Sequence, residues 1–90
     1  MDQSFDEAAS FEELAAIVEK RAERARGHAA RARQEAAGDR DDSRARELQL
    51  VEARVHAQSA ELLTQTAHLY RNRARDLRAI HSDRHQAPSG

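Results

Sequence analysis

Eight positions between Phe11 and Ala36 recur at spacings that alternate between four and three: Phe11, Ala15, Val18, Ala22, Ala25, Ala29, Ala32 and Ala36. A stripe that returns every seven residues belongs to a helix lying along another helix. Ala15, Ala22, Ala29 and Ala36 occupy one seam position, and Phe11, Val18, Ala25 and Ala32 the other. The stripe is therefore bulky at its N-terminal end and small beyond it. Small side chains let a neighbouring helix approach closely.

Where the stripe stops, ARQEAA is followed by Gly38 and then by DRDDS. This order fits the C-terminal glycine of one helix and the N-cap of the next. Asp41, Asp42 and Ser43 are the candidate caps, and acids there complement the positive end of the helix dipole. The expected fold is all-α, a two-helix antiparallel hairpin of coiled-coil type. Helix 1 is placed over about 10–37, the turn over 38–42 and helix 2 over about 43–82. Residues 1–9 form an acidic segment with a marginal turn, and 83–90 a disordered tail that includes Pro88. Gly27, inside helix 1, costs about 1 kcal/mol relative to alanine.

Helix 2 carries a heavier stripe of Leu48, Val51, Val55, Ser59, Leu62, Thr66, Leu69, Arg73, Leu77 and Ile80. Its period is close to that of an amphipathic helix, and it is expected to supply the bulk that helix 1 lacks. Leu63, Tyr70 and Leu77 lie to one side and widen the apolar face. A face that wide can touch two neighbours, which favours a homodimer assembled as a four-helix bundle.

The chain opens with a doubled motif, SFDEAASFEELAA, in which Ser4 and Ser10 each precede a glutamate by three residues. Ser-x-x-Glu is the capping-box pattern, and one helix needs only one. Ser10 is expected to cap the main helix. Helix 2 then outruns helix 1, and the Ser4 turn would lay Phe5 and the acids Asp2, Asp6 and Glu7 over Leu77, Ile80 and the arginines of that overhang.

Charge agrees with a hairpin. Residues 1–19 carry −6, 20–33 carry +5, 34–61 carry −3 and 62–90 carry +3. Folding back at Gly38 sets the first block beside the last and the second beside the third, so opposite signs meet. A parallel dimer of one continuous helix would set like against like.

Composition narrows the function. Ninety residues make one small domain, 39 % hydrophobic with about half of that alanine, 34 % charged and only 3 % aromatic. This is material for long helices rather than for a thick globular core. Cysteine is absent, which removes disulfide and thiolate chemistry, and a cytoplasmic location is the expectation. No apolar run is long enough to span a bilayer, so no membrane partner is expected. The net charge of −1 argues against a general polyanion binder.

Candidate chemistries are few. The five histidines include two pairs four residues apart with or beside carboxylates, Glu52 with His56 and His81 with His85, but no glutamate has histidine three residues later as di-iron bundles require. No metal or other cofactor is expected. Arg71, Arg75 and Arg78 share a face of helix 2, yet acids face them in the hairpin. No nucleophile with a base and no glycine-rich phosphate loop occurs, so the chain is read as not an enzyme. The expected function is protein binding, as an adaptor or regulatory hairpin acting through coiled-coil or helix-packing contacts. Leu62, Leu69, Leu77 and Ile80 are the expected apolar anchors, with Arg71, Arg75 and Arg78 setting orientation. The alternative is a small regulator that binds nucleic acid or a nucleotide-like anion through its arginine stripes.

Overall fold

The computed structural model of the chain describes the backbone of residues 3–38 and 41–86, with side chains over 7–38, 41–80 and at residue 82. Two helices account for nearly all of it, α1 over Gln3–Gly38 and α2 over Ser43–Gln86. They lie side by side as an antiparallel hairpin, a rod of 78 × 17 × 12 Å. A rod one helix thick has no third layer, so each helix can hide only the face turned to its partner.

Asp42 caps α2. Its Oδ1 accepts the backbone N–H of Ala45 at 3.0 Å, and its carbonyl accepts the N–H of Arg46 at 3.0 Å. This satisfies a donor that the helix start leaves without an intrahelical partner. Gly38 is the last residue of α1. Among the described residues no helix is long and apolar enough to cross a membrane.

With positions labelled a to g in heptads, the buried row of α1 is Ala8, Ala15, Ala22, Ala29 and Ala36 at a, flanked at d by Phe11, Val18, Ala25 and Ala32. This is the expected seam extended by one alanine. The facing row of α2 is also alanine: Ala53, Ala60, Ala67 and Ala74 at a, with Gln49, His56, Leu63, Tyr70 and Leu77 at d. Two clusters fix the register. Ala15 and Val18 pack with Ala67, beside Leu63 and Tyr70. Ala8 packs with Ala74 and Leu77, beside Phe11. The Phe11 and Tyr70 rings lie 5.9 Å apart, tilted by 33°.

The heavier stripe of α2 does not face α1 as expected. Leu48, Val51, Val55, Leu62 and Leu69 are all exposed, and the residues that touch α1 are the ones expected to lie to one side, Leu63, Tyr70 and Leu77. The reason is fit. Two alanine rows of the same seven-residue period come close together, and the larger d residues fill the space alongside, as small and large side chains alternate in a well-packed layer. The leucine and valine stripe is then left more than a third of a turn from the middle of the seam around α2.

The start of α1 also differs. The helix begins at Gln3 and runs through Ser10 without a break, because Ala8 continues the seam one heptad before Ala15 and is closed to solvent against Ala74 and Leu77. Ser10 is therefore a helix-interior residue and not the N-cap. The side chains of Phe5 and Asp6, and Asp2 altogether, lie outside the described residues, as do residues 87–90 of the expected tail. α2 continues to Gln86 rather than ending near 82.

Candidate functional site: the outer face of α2

The hairpin has two unlike broad sides. In an antiparallel pair the e positions of the two helices meet along one side and the g positions along the other. On the e side, Arg71 grips Glu19 through two hydrogen bonds, Nε to Oε1 at 2.8 Å and Nη2 to Oε2 at 2.7 Å. Arg78 also holds Glu12 by two hydrogen bonds, through its terminal nitrogens Nη1 to Oε1 and Nη2 to Oε2, and Arg26 donates to Thr64 Oγ1 at 2.6 Å. The hydrogen bonds from Arg78 and Arg71 hold the Glu12 and Glu19 carboxyls below their ordinary range, and the same bonds raise both guanidinium values. These forks set the antiparallel register more than they add stability, since exposed pairs contribute little.

The other side carries most of the exposed apolar residues, with charged residues such as Arg21, Arg24 and Arg31 among them on α1. Leu14 and Ile17 of α1 and Leu48, Val55, Leu62, Leu69 and Ile80 of α2 occupy c and g positions, with Val51 at the outward f position, and all are exposed. Leu62 is 64 % and Leu69 67 % exposed. Among the described residues, Leu50 is the one large exposed aliphatic that falls on the paired side. Between Val55 and Asn72 the c, f and g positions of α2 read Val55, Gln58, Ser59, Leu62, Gln65, Thr66, Leu69 and Asn72, without one charge. Thr66 adds to this face by donating its hydroxyl back to the Leu62 carbonyl at 3.0 Å, so its polar group needs no outside partner. Because Ala15 is level with Ala67, Leu14 and Ile17 sit beside the Leu62–Leu69 stretch.

Inside and outside are thus inverted by size. Among the described residues thirteen apolar side chains are buried, and all but Val18 and Leu77 are alanine. Each alanine hides little more than one methyl, worth about 0.8 kcal/mol. A leucine left outside forgoes about 1–2 kcal/mol of the transfer free energy that burial would give. The chain exposes 7084 Å², whereas a compact globule of its 10.1 kDa mass would expose about 5300 Å².

The expected site residues fall into three groups. Leu62, Leu69 and Ile80 are exposed on the apolar side. Leu77 is buried in the hairpin against Ala8 and Ala74. Arg71 and Arg78 are engaged by Glu19 and Glu12, and with Arg75 and Glu12 they line a shallow groove. A carboxylate in that groove offsets the charge an anion would seek. Leu14, Ile17, Val55 and Leu48 belong to the apolar side as well, and their shared c and g positions are a signal that becomes readable only once the alanine seam is known.

Two further sequence candidates are placed by the structure. His56 lies 3.6 Å from Glu52 on the next turn, and its ring centroid is 5.1 Å from that of His28. Among the described residues no group of three or more His, Cys, Asp or Glu is positioned to hold a metal ion. His81 and His85 lie outside the described side chains. Comparison with protein-family models, with curated proteins and with solved structures gives no match.

Proposed function

We propose that this chain is a non-catalytic protein-binding hairpin, with an adaptor or regulatory role, that works through helix packing on the outer face of α2. One observation carries the reading: the seam of the hairpin is filled mostly by alanine, while Leu48, Val51, Val55, Leu62 and Leu69 stand exposed on α2. A soluble helix that needed no partner would place charge where Val55, Leu62 and Leu69 stand, as this chain does on most of its remaining surface. The uncharged run between Val55 and Asn72 fits a partner helix that presents its own apolar stripe. A second copy of the chain qualifies, since it carries such a stripe.

The test is a paired capture from the native host, with the wild-type chain and a Leu62→Glu/Leu69→Glu variant compared by quantitative mass spectrometry. Both substituted residues are exposed, so the variant is expected to keep its helical circular dichroism. Proteins held by the wild type, the chain itself included, are expected to be lost from the variant. Identical sets on both, with the variant folded, would overturn the reading.

A further inference from the structure

We infer that the occupant of this face is a second copy of the chain, docked with the two α2 helices antiparallel and a two-fold axis passing near Leu62. The inference rests on the protein-binding reading and names its partner. Three observations carry it.

The first is symmetry within the stripe. Val55 stands seven residues before Leu62 and Leu69 seven after, all exposed at the same heptad position. Antiparallel copies crossing at Leu62 bring each Val55 onto the other's Leu69. Ser59 and Thr66 fall together between these layers.

The second is charge. Glu52 and Arg73 are the charges that close the uncharged stretch on its g edge, ten residues before Leu62 and eleven after it. In the antiparallel arrangement each Glu52 lies beside the Arg73 of the other copy, once at either end. Arg73 has no ion-pair partner among the described residues, and Glu52 faces only His56, at 3.6 Å. A parallel pair would set Glu52 against Glu52 and Arg73 against Arg73. Sliding the antiparallel copies until Leu48 met Leu69 would bring Arg73 beside Ala45 and Glu52 beside Thr66, so neither charge would meet its opposite. Opposite signs meet only in the Leu62-centred register, and electrostatic complementarity of this kind selects register and orientation.

The third is area. The chain as a whole exposes about 1800 Å² more than a compact globule of its mass, as a two-helix rod must, and a standard interface buries roughly 800 Å² per partner. Leu14 and Ile17, level with the Leu62–Leu69 stretch, extend the patch onto α1. The dimer so formed has four helices, two from each copy.

Sedimentation equilibrium and cysteine pairing test the proposal, and the chain has no native cysteine to interfere. The wild type is expected to be a dimer at micromolar concentration. Glu52→Arg and Arg73→Glu are each expected to weaken dimerisation by about tenfold, because two attractive contacts become repulsive, and Glu52→Arg/Arg73→Glu together should restore it. On oxidation, Ser59→Cys mixed with Thr66→Cys should give the mixed disulfide dimer, while neither alone crosslinks efficiently. Crosslinking of Ser59→Cys alone would overturn the register, and crosslinking of each variant alone would point to a parallel pair and overturn the orientation. A wild type that stays monomeric would overturn the second copy as occupant. In that case a variant-sensitive capture of another protein would still stand for the broader reading, so the two failures are separable.

Discussion

Ala15 of α1 packs against Ala67 of α2 with both side chains closed to solvent, at 0 % and 2 % exposed. The space between the helices is thus set by two methyl groups. Ala67→Leu should therefore destabilise the hairpin by about 1–3 kcal/mol although it adds apolar surface, because three extra carbons must push the helices apart or leave a favoured rotamer. Leu62→Ala, on the outer face, should change the hairpin's own stability by well under about 1 kcal/mol. Urea unfolding followed by circular dichroism, at a concentration low enough to hold the chain monomeric, measures both. Equal effects would show that the alanine row is not the seam.

Acid should weaken the hairpin through Glu12 and Glu19. Both carboxyls lie below their ordinary value of 4.5 in the folded chain, held there first by the hydrogen bonds from Arg78 and Arg71. A carboxyl lowered by folding stabilises the fold fully above its unfolded value, and that contribution is lost as pH falls through the folded value. The melting temperature should accordingly drop as the pH falls below 4.5. Glu12→Gln/Glu19→Gln should start lower at neutral pH and fall less over the same range. Thermal melts of both proteins across that range check the difference, and parallel slopes would exclude these two groups.

The physical reasons for what could and could not be read in the sequence are visible in particular residues. Helix 1 was legible because Phe11 and Val18 mark the same stripe as the alanines, so size and period agree. In α2 they disagree: Leu48, Val55, Leu62 and Leu69 outweigh Ala53, Ala60, Ala67 and Ala74 on any scale of hydrophobicity, yet the alanines match the spacing of the partner row. Fit between two helices is a property of the pair, and one helix alone does not display it. The same cause separates Leu77 from Leu69, which look equivalent along the chain, yet Leu77 is buried against α1 and Leu69 is exposed. At the N-terminus the second Ser-x-x-Glu looked like the start, while Ala8 already continued the heptads of Ala15.

Gly27→Ala should stabilise the hairpin by about 1 kcal/mol. Gly27 is in the interior of α1 at an outward position, and a Cβ built there meets nothing within 4 Å. The gain comes from reduced freedom of the unfolded chain and from a better helix former, with no contact made or lost. A rise in the urea midpoint at unchanged slope is the expected result. A fall would mean that the glycine serves an approach to this face that the hairpin alone does not reveal.

Gln49 occupies a d position on α2, the row that continues as His56, Leu63, Tyr70 and Leu77. Its Oε1 is buried and has no hydrogen-bond partner among the described residues. An unsatisfied buried acceptor costs about 1–3 kcal/mol, and a leucine of similar volume removes that acceptor while filling the row. Gln49→Leu should therefore stabilise the turn end of the hairpin by about 1 kcal/mol or more, where the flanking Ala32 and Ala36 provide little bulk of their own. Hydrogen exchange localises the effect better than a global melt, since slower exchange should be confined to residues near Ala32–Ala36 and Gln49–Ala53 if local opening of this end is what the amide senses. No change in stability would mean that water satisfies Gln49 in solution, and the slowest-exchanging amides would then lie toward the Phe11–Tyr70 end, where the bulky residues of the seam are gathered.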